Sequence, residues 1–162
     1  MVKYSTLENI SKEVLFETFM KTADGFKMKE EVELDMFCEM LVERDYDPAI
    51  SIGAFDIDTE ELVSFVLNSI LKDNEKVAYD ILTGTVPEYR RMGIAREIFN
   101  KVKTLLKEKQ IELYITEVKR NNIIAWNLYQ SIGFEIEKEV ITTIKTSYGS
   151  RQVEQYEIVM KI

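Results

Sequence analysis

Residues 86–96 read Val-Pro-Glu-Tyr-Arg-Arg-Met-Gly-Ile-Ala-Arg and join an apolar run to an amphipathic one. Pro87 cannot donate to a strand ladder, so the strand before it must stop there. Gly93 and Ala95 keep one face of the following helical turn free of bulky side chains. The unpaired N–H groups of that turn, and the positive end of the helix dipole, then point at whatever sits above it. A phosphate or pyrophosphate suits such a place, and Arg90, Arg91 and Arg96 set full positive charges beside it. Gly84, inside the preceding strand, marks a bulge or a close approach of backbone to another group.

A second set of residues with chemical potential follows. Helical spacing over residues 122–132 places Ala125, Leu128, Tyr129 and Ile132 on one face, and Gly133 stops the helix. Tyr129 is then either a half-buried aromatic or a phenol offered as a proton donor. Two carboxylates lie on the strands nearby. Asp80 has the parity of Leu82 and Gly84, and Glu117 lies close to the end of the next strand. Each could relay a proton through water or simply be an exposed charge.

The spacing Arg90-x-x-Gly93-x-Ala95, preceded by Val86, resembles the acyl-CoA pyrophosphate loop of the GNAT superfamily of N-acetyltransferases. The run Asn122-x-x-Ala125-x-x-x-Tyr129-x-x-x-Gly133-Phe134 resembles that family's second signature, in the right order and at a suitable distance. The resemblance implies an α/β fold of the α+β kind, with one domain over residues 1–162. Its sheet should be mixed and mostly antiparallel, with six to seven strands, a parallel and splayed central pair, and about four flanking helices. It also implies transfer of an acetyl group from acetyl-CoA to a primary amine of a small molecule or protein, by direct attack in a ternary complex. A CoA-binding regulatory module without turnover is the alternative.

Residue by residue, the resemblance places pantetheine and the thioester carbonyl against the backbone of Thr83, Gly84, Thr85 and Val86. The pyrophosphate falls to Arg91, Met92, Gly93, Ile94, Ala95 and Arg96. Tyr129 matches the family's general acid toward sulfur. Asn122 either bonds the pantetheine or only caps its helix, and Ala125 belongs to the same cofactor-facing turn. The first two helices wall the acceptor pocket in this family, which brings Phe26, Met28 and Phe37 toward the substrate.

Composition narrows the chemistry further. The 162 residues contain no histidine and one cysteine, Cys38. That excludes Ser-His and Cys-His catalysis, intrachain disulfides and His-based or multi-Cys metal sites; no metal is expected. Cys38 falls in an apolar helical run and reads as core or near-core filler. With 29 acidic against 21 basic residues the net charge is −8, which argues against nucleic acid as a partner and favours a cationic acceptor. No apolar run approaches the ~20 residues that span a bilayer, and the N-terminus has no hydrophobic leader. A cytoplasmic location is therefore the default.

The elements that must position these residues can be read from periodicity. A short edge strand over residues 2–5 precedes helices over 9–21, capped by Asn9 or Ser11, and 29–44. Strands over 49–55, 62–71 and 76–85 form an antiparallel meander, with a solvated acidic turn at residues 56–60. The helix after the basic turn ends near Lys109, and residues 111–118 alternate as a strand. A right-handed crossover makes that strand parallel to residues 76–85. Two long strands, 134–144 and 152–162, close the chain around a hairpin at 146–150, and they could pair between subunits of a homodimer.

Overall fold

The computed structural model describes residues 1–22 and 31–162. Seven strands form one sheet in the order β1-β2-β3-β4-β5-β7-β6. They are β1 (Val2–Thr6), β2 (Ile52–Asp56), β3 (Leu62–Leu71), β4 (Asn74–Thr85), β5 (Leu113–Lys119), β6 (Glu135–Thr146) and β7 (Gly149–Lys161). Four α-helices flank it among the described residues: α1 (Lys12–Lys21), α2 (Leu34–Glu43), α3 (Ile94–Glu108) and α4 (Ile123–Ile132). Only β4 and β5 run parallel; the other neighbours are antiparallel. The mixed sheet with one parallel central pair is the expected one.

Two apolar clusters cover the two faces. On one, α3 and α4 bury Ile98, Phe99, Val102, Leu106, Tyr129 and Phe134 against Val66, Ala78 and Tyr114 of the sheet. On the other, α1 and α2 bury Leu15, Phe19, Phe37 and Leu41 against Phe55, Phe65 and Leu67. Helix α3 owes its orientation to the spacing of Ile94, Ile98, Val102 and Leu106, all buried. Its polar remainder faces water.

Local chemistry explains where the boundaries differ from the periodicity. Helix α1 starts after Ser11, whose side chain accepts from the Val14 N–H at 3.2 Å, so the cap is Ser11 rather than Asn9. Helix α2 begins at Leu34 instead of 29. The strand expected from residue 49 opens with a 3₁₀ turn, Pro48–Ile50, because Asp47 accepts from the Ala49 N–H at 2.9 Å. Proline at the first position of that turn pre-sets its backbone. Strands β6 and β7 run further than their alternation suggests. They leave a two-residue tip, Ser147 and Tyr148, that turns on Gly149 at φ 132°.

That tip does not hang free. Ser147 donates its N–H and its hydroxyl to the Glu31 carbonyl at 2.6 and 2.9 Å. Arg151 pairs with Glu31 at 3.5 Å, and Lys145 pairs with Glu43 at the far end of α2 at 3.6 Å. The last hairpin therefore spans the space beside α2 and roofs the cleft described below.

Gly84 shows how closely the second face is packed. It pairs regularly with Phe65, and a Cβ there would lie 2.8 Å from both the Phe65 ring and the Thr22 methyl. Close packing, and not a bulge, is the reason for this glycine. Phe65 is 1% exposed and has no room to retreat. Gly84→Ala should therefore destabilise the fold by about 1–3 kcal/mol, the usual range for overpacking. Thermal melting followed by circular dichroism checks this: the midpoint should drop by several degrees, with the folded spectrum unchanged.

Candidate active site

The register of β3 against β4 steps from Leu67 opposite Leu82 to Asn68 opposite Asp80, which leaves Ile81 without a partner. Residues opposite each other in an antiparallel pair share a face, and residues two apart on one strand share it too. Asp80, opposite Asn68, therefore lies on the face of Thr83, opposite Val66. Leu82 and Gly84 lie on the other face. The parity expected for Asp80 is thus reversed, because one extra residue flips everything beyond it. The bulge sits at Ile81, three positions before Gly84.

This turn carries Asp80 into the cluster beneath α4. Its Oδ2 accepts from the Thr83 hydroxyl at 2.8 Å and from the Tyr129 hydroxyl at 3.0 Å. Its Oδ1 is buried, with no hydrogen-bond partner among the described residues. Asp80 is 1% exposed, so it is no surface charge. Burial pushes its carboxyl up to about 6, against the hydrogen bonds from Thr83, Tyr129 and the Leu82 backbone that pull it down. Burial first, and the Asp80 charge second, drive the Tyr129 phenol well above its ordinary value. At neutral pH this phenol keeps its proton and is a donor.

Tyr129 is held from several sides. Its ring meets Phe99 at 5.6 Å and Phe134 at 5.2 Å, both edge-on. Its carbonyl accepts from the N–H groups of Gly133 and Phe134 at 3.2 and 3.0 Å, a helix end that Gly133 permits at φ 126°. The Gly-Phe pair thus fixes the turn that carries the tyrosine. Asn122 caps the other end of α4, accepting from the Ala125 N–H at 3.1 Å. Its capping role is met within the chain, and both Asn122 and Ala125 line the cleft.

Strands β4 and β5 pair only from Val77 opposite Leu113 to Tyr79 opposite Ile115. Beyond that point Thr116 reaches across with its hydroxyl to the Asp80 carbonyl, 2.8 Å away, and the strands part. The β5-facing backbone edge of β4 past Asp80, which includes Thr83 and Thr85, is no longer in the ladder. Val86 is buried and turns the chain into a 3₁₀ turn, Pro87–Tyr89. Tyr89 donates to the Asp56 carboxylate. That bond first, and then turn N–H groups, holds Asp56 at about 2. The acidic turn at residues 56–60 is therefore a brace for the basic loop.

Gly93 stands at the N-cap of α3 with φ 77° and no side-chain cap. The Glu97 N–H is the first to reach a helix carbonyl, that of Gly93 at 3.1 Å, so the N–H groups of Ile94, Ala95 and Arg96 form the open end. A Cβ on Gly93 would meet nothing within 4 Å. Arg91, at φ 63°, and Met92 are exposed beside it. Arg90 donates to the Thr85 carbonyl at 3.1 Å. Arg96 bends to Ser131 on α4, donating to its hydroxyl at 2.8 Å; it ties the two helices together and leaves Arg91 as the freer cation.

A cleft of about 420 Å³ passes through the parted strands. On the α1/α2 side its wall includes Phe37, Met36, Met40, Ile144 and Glu117. Phe37 is 2% exposed and stacked on Phe19 at 5.6 Å, so it shapes this wall mainly as part of the core. Glu117 points to the face opposite Asp80, since it alternates with Thr116, and accepts from the Thr142 hydroxyl at 3.3 Å. The two candidate bases are therefore separated by the sheet. Phe26 and Met28 lie outside the described residues. Cys38 is half-buried, a near-core position.

Sequence reasoning missed three contributors. Tyr79 lines the cleft with its phenol pushed up to about 12, by burial first and Glu117 second. Arg44 donates to that phenol at 3.1 Å, and Thr116 marks the parting of the strands. Nothing in their local pattern distinguishes them; each is placed by a partner at least 35 positions away.

A sequence profile of the acetyltransferase (GNAT) family matches residues 13–134. The chain belongs to the GNAT acetyltransferase family. No curated protein sequence matches this GNAT chain. Among solved structures it resembles the ribosomal-protein-S18-alanine N-acetyltransferase of Escherichia coli, at TM-score 0.75 and 18% identity over 100% of this chain and 94% of that one. It resembles Arabidopsis thaliana NAA60 in complex with a bisubstrate analogue, at 0.73 and 20% over 100% and 98%. A chain of the NatC complex bound to Gag peptide and CoA gives 0.74 and 16% over 99% and 98%. At such identities these likenesses establish the fold.

A buried carboxyl near 6 leaves a signature in stability. Its ordinary value is 3.8 and its folded value about 6, so between these pH values the folded chain binds the proton and the unfolded chain does not. Stability then falls as pH rises from about 4 to 6 and is flat above, by roughly 3 kcal/mol at 1.36 kcal/mol per pH unit. Asp80→Asn keeps an acceptor for Tyr129 and Thr83 without the charge. The variant should be at least as stable as the parent at pH 7.5 and lack this slope, as urea titrations across pH would show.

Proposed function

We propose that this chain transfers an acetyl group from acetyl-CoA to a primary amine. The observation that carries the proposal is the protonated phenol of Tyr129, buried at the point where β4 parts from β5. The groups present suit the parts of the co-substrate. The open N-terminus of α3 at Gly93, with Arg91 beside it, suits the pyrophosphate. The unpaired edge of β4 at Thr83 and Thr85, on either side of Gly84, suits the pantetheine amides, which would add to it as a strand does. An N–H of that edge would polarise the thioester carbonyl.

In this reading the amine nitrogen attacks the carbonyl carbon and the C–S bond breaks. The nitrogen loses a proton and the sulfur gains one from Tyr129. Glu117 faces the acceptor side of the cleft and takes the nitrogen's proton through water. The acceptor enters along α2 and β6, where Glu39 and Glu117 meet Met36, Met40 and Ile144, Glu43 being paired with Lys145. That mixture favours a cationic amine next to an apolar group, as at a peptide N-terminus with an apolar side chain. The structural likeness to enzymes named for acting on protein alanine or found with peptide points the same way.

Release of free CoA thiol from acetyl-CoA, measured over a panel of N-terminal peptides, lysine and polyamines, tests the proposal. Release that depends on an amine supports it. CoA binding with no release for any amine would mean a silent CoA-binding module. Within an active enzyme, Tyr129→Phe should lower kcat by roughly 10²–10³, with KM for acetyl-CoA little changed. Gly93→Val puts a branched side chain at a positive φ and over the open helix end. It should weaken CoA binding by tenfold or more, about 1.4 kcal/mol, in calorimetric titration, while the chain stays folded.

A further inference from the structure

Asp80 presents an unexplained arrangement. A carboxylate with no ion pair among the described residues is buried at the site, where it gives stability nothing. It spends one oxygen on two donors, Thr83 and Tyr129, at 2.8 and 3.0 Å. The other oxygen is buried and empty-handed. If Asp80 is ionised, the Tyr129 proton is committed to Oδ2 and turned away from any sulfur. Giving that proton up would leave a phenolate against a carboxylate in a dry pocket, two like charges with nothing between them. An acid at this position needs a neighbour that can change charge with it.

We propose that Asp80 is the positioning residue behind Tyr129, a carboxylic acid that passes its proton to the phenolic oxygen as the phenolic proton goes to sulfur. The inference rests on the acetyltransferase reading above. The Asp80 O–H bond breaks and a new O–H bond forms on Tyr129. The original Tyr129 O–H bond breaks and an S–H bond forms on the departing CoA. Tyr129 ends neutral, and Asp80 ends as a carboxylate. The proton shed by the amine nitrogen leaves by way of Glu117, and a proton from solvent restores Asp80 once the products have left the cleft, with Oδ1 as the free acceptor. No phenolate arises at any stage.

The surroundings favour the neutral acid. The groups facing Asp80 are Tyr129 from α4, Tyr114 and Thr116 from β5, Asn68 from β3 and Thr83 on β4. Tyr114 is turned to Asn68 and donates to its side-chain oxygen. Across the sheet lie Tyr79, Arg44 and Glu117, with Arg44 engaged to Tyr79. Among the described residues no cation holds the carboxylate ionised, and burial already moves its protonation to about pH 6. Acyl-CoA and amine filling the cleft would expel further water and push in the same direction.

The test uses the full chain, acetyl-CoA and whichever amine of the panel the wild type turns over. Asp80→Asn retains a side chain that can bond the phenol but cannot hand over a proton. It should lower kcat by roughly tenfold or more while KM for acetyl-CoA changes little. The wild-type limb of kcat that falls as pH rises past the Asp80 protonation range should vanish in the variant. In a Tyr129→Phe background the same change should cost nothing further, because the two groups act as a unit. Wild-type kcat and pH profile in Asp80→Asn would overturn the relay alone. Equal losses in both backgrounds would also overturn it, since a packing role is indifferent to the phenol. A variant that does not fold is contrary to the stability expected for it and likewise counts against the inference. A wild-type chain that turns over no amine overturns the acetyltransferase reading itself.

Discussion

Ile81 is the one residue between Asp80 and Leu82, and β3 offers it no partner. Its insertion turns Asp80 to the face of Thr83, beneath α4, where a regular strand would have sent it toward α1 and α2. The same irregularity comes where β4 leaves β5, after Tyr79 and Ile115. A bulge increases local twist and bends its strand. Parallel neighbours that diverge in twist cannot keep their ladder, so the parting of the strands and the rotation of Asp80 share one cause. The cleft, the open backbone edge and the carboxyl–phenol pair all follow from that single extra residue.

The rest of the molecule keeps this opening in place. Phe99, Tyr114, Tyr129 and Phe134 pack ring against ring on one face, with centroids 5.2–6.3 Å apart. They hold α3 and α4 at a set distance from the sheet. Arg96 ties the first turn of α3 to the last turn of α4 through Ser131, and Tyr89 ties the basic loop to the Asp56 turn. On the other face the terminal hairpin reaches both ends of α2 through Glu31 and Glu43. The strands part, yet they cannot drift further, because every element beside the gap is anchored elsewhere. A buried carboxyl is affordable in such a frame: the aromatic burial around it supplies stability that the charge withdraws.

Much of this was legible along the chain. The helix after the basic turn, the glycine at its start, the Asn122 cap and the Gly133 stop are local signals, decided within a few residues by φ preference and by unpaired backbone groups. The strand Leu62–Leu71 is bounded in the structure as its apolar run suggests. The strand after Pro48 was read too long because apolar residues continue through Ala49 and Ile50, whose backbone closes a 3₁₀ turn instead. Of the two readings open for Gly84, a bulge and a close approach, the structure takes the second. A glycine looks the same in sequence whether it bulges or makes room for Phe65.

The sequence by itself determined the kinds of element, their order, the loop that can hold an anion and the tyrosine that can give a proton. Each of these depends on residues close together in the chain. Which face Asp80 takes, that β7 lies between β5 and β6, that Arg96 turns to Ser131 and that Glu117 and Asp80 sit on opposite sides of the sheet were decided only by the tertiary structure. A strand's register is set by its neighbour, and one unpaired residue reverses every side chain beyond it without leaving any mark on the local pattern.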